Sequence, residues 1–314
     1  MTPEDPERGG ALADRPAIPA SPGFRGYVDA GALELYCERH GDGRPLVLLH
    51  GAFGTIESCF AGLLPALART FEVIAVELQG HGRTRDVGRP LAYQDMAADL
   101  AALLEALSIP RAHVAGYSMG GAVALQLARD RPELIGRLVW FGGASSDRGG
   151  IYPEYTAAFE SFDPHQLDGS RWHKAYRRVA PDPGAWTSLV VKVNELDRSG
   201  GPSWPRERLA ALQAPALLIN GDSDIVRPEH AVQMFRLLGG GVPGDPAGTR
   251  PAQLALLPGT SHEAMLDRVD WLSSMITRFL LPTLGLLLLG PPPPVQVGSE
   301  GLLHGCPSQV VRRA

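Results

Sequence analysis

Short, mainly apolar runs alternate with longer helical segments along most of the chain. Such runs are typical of strands buried on both faces, and between two of them, from residue 93 to residue 107, apolar residues recur three or four positions apart, as in an amphipathic helix. The alternation predicts an α/β fold with a mostly parallel, eight-stranded sheet and helices on both faces. The predicted buried strands span residues 46–49, 73–76, 112–115, 138–141, 216–219 and 253–257.

The remaining elements follow from weaker patterns. Residues 24–28 and 33–39 alternate between apolar and polar positions around a turn at Asp29-Ala30-Gly31, which predicts two antiparallel strands. Apolar periodicity also predicts four further helices, and a Gly- and Pro-rich stretch at residues 239–251 predicts a surface loop. The four helices span residues 57–69, 122–129, 229–238 and 263–280.

The alternation stops between residues 144 and 213, where aromatic and polar residues are spread among weakly periodic helices. We interpret this stretch as a helical cap inserted into a core formed by residues 23–143 and 214–280. Its aromatic residues either line a substrate site or form a small core of the cap, and the sequence favours neither. Residues 1–22 are predicted to be a disordered tail, and residues 281–314 a low-complexity tail.

Composition and charge narrow the class of protein. The chain of 314 residues is 44% hydrophobic and 20% charged, which is ordinary for a soluble globular enzyme. The net charge of -5 argues against a nucleic-acid partner or an anionic membrane surface, and it leaves a small molecule as the expected partner. The three cysteines, Cys37, Cys59 and Cys306, show no C-x-x-C spacing, so no disulfide framework is predicted.

Both ends of the chain bear on localisation. Residues 1–22 contain no apolar segment of the kind found in signal peptides, and we expect a cytoplasmic protein. Residues 280–289 are apolar, but Pro282 and Gly285 interrupt them and a membrane span needs about 20 apolar residues. We favour a frayed helix end over an anchor at the membrane surface.

The pentapeptide Gly116-Tyr117-Ser118-Met119-Gly120 lies between a predicted strand and a predicted helix. A serine at the tip of such a turn adopts a strained backbone conformation that exposes its hydroxyl, and the flanking glycines allow the close approach of neighbouring backbone. Ser118 is therefore the candidate nucleophile. Its alternative role is to cap the helix, for which fewer glycines would suffice.

An acid and a base follow Ser118 in the chain, each just after a predicted strand. His262 is the candidate general base, because its loop could reach back over the serine turn, and a serine hydroxyl needs such a base at neutral pH. The candidates for the carboxylate that orients this histidine are Asp224 and Asp222, both just after the strand that ends near residue 219. Asp222 could instead close a turn.

The order of the elements and four motifs resemble the α/β-hydrolase superfamily. The motifs are the pentapeptide, the His50-Gly51 pair, NGDSDIVRP at residues 220–228 and LPGTSH at residues 257–262. The likeness covers residues 24–280 and is to members with a serine nucleophile, no cofactor and a cap after the sixth strand. It implies a catalytic triad of Ser118, His262 and Asp224. Asp147, after the sixth strand, is a rival for the acid, because some hydrolases of this fold place it there. No metal is expected, since no His or Cys pair has ligand spacing and the triad needs none.

The same resemblance implies an oxyanion hole of two backbone N–H groups. One comes from Met119, directly after the nucleophile, and the other from the loop after His50, where Ala52 is the first choice and Phe53 the second. The side chain of Met119 either fills a gap in the core or lines the acyl pocket. Glu77 and Gln79 depart from the residues common in this family, and we interpret both as structural.

These residues predict a serine hydrolase that cleaves a carboxylic ester or lactone of a small, fairly apolar substrate through an acyl-enzyme. Two reactions with similar triads stay open: hydrolysis of a carbon–carbon bond in a diketone and cofactor-free perhydrolysis. A ligand-binding receptor that has kept the fold is the alternative outside catalysis.

Overall fold

The computed structural model describes residues 23–281 apart from residues 144, 146, 147, 162, 199–203, 246, 247 and 249. The predictions made for residues 1–22 and for the C-terminal tail after residue 281 therefore lie outside the described residues, as does the candidate Asp147. Among the described residues, no helix is both long and apolar enough to cross a membrane.

Eight strands of the described chain form one open sheet in the order β1-β2-β4-β3-β5-β6-β7-β8. The first two strands pair antiparallel, β2 pairs antiparallel with β4, and all other neighbours are parallel. The predicted mostly parallel sheet is thus confirmed. The strands are β1 (Arg25–Asp29), β2 (Glu34–His40), β3 (Arg44–Leu49), β4 (Phe71–Val76), β5 (Ala112–Tyr117), β6 (Ile135–Phe141), β7 (Ala216–Ser223) and β8 (Gln253–Ser261).

The apolar runs lie in the middle of this sheet because helices cover both of its faces. Leu46, Val47, Leu48 and Leu49 of β3 are each fully buried, as expected for a central strand that has no solvent-exposed face. The helices outside the β6–β7 connection are α1 (Ile56–Phe60), α2 (Leu63–Leu67), α3 (Tyr93–Ala106), α4 (Met119–Asp130), α9 (Pro228–Leu237) and α10 (Val269–Leu280).

Two predicted helices are interrupted. The helix expected at residues 57–69 is the separate pair α1 and α2, and a Cβ on the intervening Gly62 would lie 2.8 Å from Val269 Cγ2, so α10 packs closely on the break. The helix expected at residues 263–280 begins as a 3₁₀ turn, Glu263–Asp267. Arg268 then donates to the carbonyl oxygen of Gly259 at 2.7 Å, which holds the break against the end of β8.

The connection between β6 and β7 is helical, as the sequence predicted, and its division from the core as a cap domain stays a prediction. Trp186 contacts Tyr176 with ring centroids 5.4 Å apart, and it stacks on His173 at 4.9 Å. Lys192 donates to Asp86 at 2.6 Å and so joins this connection to the loop after β4. Its helices are α5 (Pro153–Glu160), α6 (Arg171–Val179), α7 (Trp186–Arg198) and α8 (Arg206–Ala210).

Candidate active site

Ser118 occupies the sharp turn between β5 and α4. Its backbone has φ 51° and ψ -118°, in a region that residues with a side chain rarely adopt. The N–H of Ser118 donates to the carbonyl oxygen of Phe141 at 3.0 Å, which holds the turn against the end of β6. The strained turn predicted from the pentapeptide is therefore present, and no hydrogen bond of the Ser118 side chain caps the helix.

The glycines of the pentapeptide are explained by backbone contacts. A Cβ on Gly116 would lie 2.3 Å from the carbonyl carbon of Gly120, and a Cβ on Gly120 would lie 2.4 Å from the carbonyl oxygen of Leu49. Real Cβ atoms do not approach backbone this closely. The turn can therefore form only because neither residue carries a side chain.

Gly120→Ala is expected to lower the free energy of unfolding by about 3 kcal/mol, because the new methyl group can fit only if β3 or α4 moves. Gly184→Ala is the matched control, since its Cβ would meet only the Asp182 side chain, at 3.2 Å. We expect the control to change stability by less than about 0.5 kcal/mol. Urea unfolding followed by circular dichroism measures both, and equal losses would contradict the argument.

Ser118, His262 and Asp224 form a chain of hydrogen bonds. His262 Nε2 lies 3.0 Å from Ser118 Oγ, and His262 Nδ1 lies 2.8 Å from Asp224 Oδ1. Because an ionised carboxylate can only accept, Nδ1 carries the proton and Nε2 is left to accept from the serine hydroxyl. The Asp224 side chain is fully buried, whereas the His262 side chain keeps 19% of its surface exposed. The three residues predicted from sequence are thus brought together.

The hydrogen bonds of Asp222 differ from those of Asp224. Asp222 accepts hydrogen bonds from the N–H groups of Gly259 at 2.9 Å and Thr260 at 3.2 Å. These bonds join β7 to β8 and lower the pKa of the Asp222 carboxyl. Asp222 therefore has a structural role at the sheet edge, and the turn predicted for it is instead a link between two strands.

Two residues that the sequence did not single out hold the His262 loop. The Tyr117 hydroxyl donates to the carbonyl oxygen of His262 at 3.0 Å, and the two rings lie 5.2 Å apart. Gly143 has φ 82°, and a Cβ there would lie 3.0 Å from His262 Cε1. The Gly142-Gly143 pair was visible in the sequence as a break after β6, whereas nothing marked Tyr117 beyond its place beside the serine.

The loop after β3 carries the two residues considered for the oxyanion hole. Ala52 and Phe53 line the same cavity as Ser118 and Met119, and Phe53 has φ 62°. Met119 is the first residue of α4, where backbone N–H groups have no acceptor within the helix. The loop after β3 and the start of α4 therefore both border the cavity that contains Ser118.

A buried histidine fixes this loop. His50 Nε2 accepts from the N–H of Leu78 at 3.0 Å, so Nδ1 carries the proton and donates to the carbonyl oxygen of Gly51 at 2.7 Å. Burial lowers the pKa of His50 to about 3, which keeps the ring neutral. His50 therefore ties the loop after β3 to the loop after β4, and a ring that stays neutral and buried is not placed to take a proton from a ligand in the cavity.

Glu77 and Gln79 occupy the loop after β4, and both are buried and structural. Glu77 Oε1 accepts from the N–H of Ile56 at 3.1 Å and from the Arg83 guanidinium at 3.0 Å. Burial raises the pKa of Glu77 to about 7 although these donors favour the charged form. Gln79 donates to Asp86 Oδ1 at 2.8 Å. The departures from the common family residues therefore hold neighbouring loops together.

A cavity of about 740 Å³ opens above Ser118 between the sheet and the β6–β7 connection. This volume suits a small organic molecule. Most of its wall is aromatic or aliphatic, including Phe53, Tyr93, Trp140, Trp172 and Ile225. Met119 lines the wall and also belongs to the buried core.

The aromatic residues of the β6–β7 connection divide between the wall of the cavity and packing within the connection. Trp172 and Tyr155 line the cavity, whereas Trp186 packs with Tyr176 and His173 away from it. Trp172 Nε1 donates to Glu263 at 3.1 Å, so α6 contacts the residue that follows His262. Across the described residues, this site included, no three His, Cys, Asp or Glu side chains are placed to hold a metal ion.

Comparison with known proteins now identifies the family. The family model of the alpha/beta hydrolase fold matches residues 44–268, which include all three members of the hydrogen-bonded chain. The protein is an α/β hydrolase.

Similar proteins within this family include hydrolases and esterases. A candidate carbamate hydrolase, RutD, of Azorhizobium caulinodans is 30% identical over 238 residues, which cover 69% of this chain and 86% of that protein. A pimeloyl-[acyl-carrier protein] methyl ester esterase of Aeromonas hydrophila is 29% identical over 230 residues, which cover 65% of this chain and 86% of that protein.

The fold of this α/β hydrolase is also similar to that of CarC, a serine hydrolase involved in carbazole degradation. The two superpose with a TM-score of 0.64 at 24% identity, over 82% of this chain and 98% of CarC. At this level of identity, the likeness shows the shared fold.

Proposed function

We propose that this α/β hydrolase cleaves a carboxylic ester or lactone of a small, fairly apolar substrate through an acyl-enzyme. Ser118 is the nucleophile, His262 the general base and Asp224 the orienting carboxylate. The N–H groups of Met119 and Ala52 form the oxyanion hole. The observation that carries this proposal is the hydrogen-bonded chain from Asp224 through His262 to Ser118, which ends in the apolar cavity.

The geometry supports the first half of the reaction directly. Ser118 Oγ attacks the substrate carbonyl carbon while its proton passes to His262 Nε2, 3.0 Å away. The buried Asp224 carboxylate stabilises the imidazolium that forms. When the tetrahedral intermediate collapses, the bond to the leaving oxygen breaks, and that oxygen takes the proton from His262. An alcohol leaves, or in a lactone the hydroxyl end of the opened ring.

The second half repeats these steps with water. His262 takes a proton from a water molecule, whose oxygen attacks the acyl carbon, and the proton then returns to Ser118 Oγ as the acid leaves. In each half, negative charge develops on the carbonyl oxygen, where the N–H groups of Met119 and Ala52 would bind it. Losing one such donor typically costs about 10² to 10³ in rate.

The cavity and the comparisons both support an ester-like substrate. Its aromatic and aliphatic wall favours an apolar body, and its volume of about 740 Å³ suits a reacting group of small-molecule size. The two similar proteins are named for a carbamate and for a methyl ester, and each of these compounds joins a carbonyl carbon to a heteroatom. A carboxylic ester presents the same kind of bond to Ser118.

A fluorophosphonate probe tests the proposal, because it forms a stable adduct with an activated serine. We expect a single adduct per chain, located at Ser118 in the tryptic peptide of residues 112–129, whose only serine is Ser118. Intact-mass analysis and fragmentation of this peptide by mass spectrometry measure both. An adduct elsewhere, or none on a folded sample, would refute the assignment of Ser118.

Turnover rates on different substrates distinguish ester hydrolysis from carbon–carbon bond hydrolysis and from ligand binding without turnover. We expect multiple turnovers of small esters or lactones, and slower turnover of a vinylogous diketone, which a carbon–carbon hydrolase would prefer. A burst of one product per chain followed by tight retention would instead support the receptor alternative.

A further inference from the structure

Tyr93 is a polar residue in the wall of an otherwise mostly apolar cavity. It is the first residue of α3, it keeps 8% of its surface exposed, and it lines the cavity together with Ser118. Within the described part of the chain, its hydroxyl has no hydrogen-bond partner. This hydroxyl therefore differs from that of Tyr117, which donates to the backbone of His262.

The Tyr93 hydroxyl is not one of the fully enclosed polar atoms that lack a partner in the described chain, so it is accessible from the cavity that Tyr93 lines. Phenylalanine would fill the same space at position 93 but would offer the cavity no polar group. A group of a bound substrate can therefore take the place of water at this hydroxyl and form a hydrogen bond with it.

The charges around the cavity indicate what kind of group this partner is. Asp197 of α7 lines the same cavity, and burial together with the Asp197 charge raises the pKa of Tyr93, so the phenol keeps its proton. A protonated phenol both donates and accepts, whereas a carboxylate only accepts. A substrate hydroxyl matches both groups, since it can accept from Tyr93 and donate to an acceptor.

A substrate carboxylate is a poor match for the same wall. Among the described residues, two acidic ones, Asp197 and Glu263, line the cavity. Arg171, the arginine of that described lining, is already paired with Glu263 at 3.3 Å and lies over the Trp172 ring. An added negative charge would be repelled by Asp197 and would have to compete with Glu263 for Arg171.

We propose that Tyr93, beside Asp197, forms a subsite that binds an uncharged hydroxyl group of the substrate, away from the bond that is cleaved. The assignment rests on the proposed esterase function and adds a class of substrate to it: hydroxylated, largely apolar esters or lactones. Tyr93 is then a specificity-determining residue, because it distinguishes substrates by a group that takes no part in the chemical steps.

Matched esters test this subsite without knowledge of the natural substrate. One series varies the acyl chain and consists of the p-nitrophenyl esters of hexanoic acid, 6-hydroxyhexanoic acid and adipic acid. A second pair varies the alcohol and consists of hexyl acetate and 6-hydroxyhexyl acetate. On the chain that reaches Tyr93, we expect the wild-type kcat/KM to be about tenfold higher for the hydroxylated ester than for the plain one. The adipate ester should be the poorest of its series.

The ratio of hydroxylated to plain ester is the decisive quantity. Tyr93→Phe is expected to bring this ratio from about ten to about one, through a change mainly in KM, whatever happens to the absolute rates. Tyr155→Phe is the matched control, because Tyr155 lines the same cavity but keeps 45% of its surface exposed. Its ratio should stay near the wild-type value.

The possible failures can be told apart. Three outcomes would each overturn the subsite while leaving the hydrolase assignment intact. They are equal kcat/KM within both ester sets, a preference for the adipate ester, and an unchanged ratio in Tyr93→Phe. A merely structural role of Tyr93 would lower the rates for plain and hydroxylated esters by the same factor. Absence of both ester turnover and fluorophosphonate labelling would overturn the proposed function, and the subsite with it.

Discussion

Ser118→Ala is expected to lower kcat for ester hydrolysis by about 10⁶-fold while the protein stays folded. The variant removes the atom that attacks the carbonyl and leaves the turn unchanged, because alanine and serine meet the same steric limits at φ 51°. A residual rate above that of water is expected, since the oxyanion hole and the cavity would still bind the substrate. Stopped assays with high enzyme concentration measure the loss, and thermal unfolding confirms the fold.

Ser108→Ala is the matched control for this prediction. Ser108 is also a serine with a left-handed backbone, at φ 56°, but it is exposed after α3 and does not line the cavity. We expect its kcat to stay within about twofold of the wild type, as for most surface substitutions. A loss below a hundredfold in Ser118→Ala would mean that another group supplies the nucleophile.

Asp224→Asn is expected to lower kcat by about 10⁴-fold. The amide keeps the shape of the carboxylate, but it can donate to His262 Nδ1 and so favours the tautomer whose Nε2 carries a proton. That nitrogen could then no longer take the proton of Ser118. The loss should fall mainly on kcat, because the buried Asp224 side chain touches His262 and not the cavity. Steady-state kinetics with a saturating ester separate kcat from KM.

Asp222→Asn is the natural control, since it makes the same chemical change two residues away. Its side chain accepts from the N–H groups of Gly259 and Thr260, and an amide oxygen can keep one of these bonds. We therefore expect less than a tenfold effect on kcat. If Asp224→Asn cost less than tenfold and Asp147→Asn cost far more, the orienting carboxylate would instead be the acid after β6.

The architecture of the sheet was predictable because burial on both faces leaves a direct trace in the sequence. The fully apolar run at Leu46–Leu49 can bury both of its faces only between helical layers, and it forms the centre of β3. The helices on either side of residues 62 and 268 were predicted as continuous, because helical periodicity does not reveal contacts with distant elements. Packing of Val269 against Gly62 and the bonds of Arg268 to the end of β8 set those breaks.

In the candidate site, too, some features were predictable from the sequence and others depended on the fold. The order of Ser118, Asp224 and His262 and the glycines around the serine were visible in the chain, because a strained turn restricts which residues can form it. The choice between Asp224 and Asp222 could not be derived from residue patterns without a family resemblance. It depended on β7 continuing to Ser223, which turns Asp222 towards β8 and leaves Asp224 facing His262.

The sequence by itself determined the strands, the serine turn and the candidate residues for the hydrogen-bonded chain, since each leaves a local pattern of size, polarity or spacing. Only the tertiary structure decided which residues meet: Tyr117 at the His262 loop, His50 between the loops after β3 and β4, and Tyr93 in the wall of the cavity that contains Ser118. These contacts join residues far apart in the chain, and their distances are set by how the helices pack on the sheet.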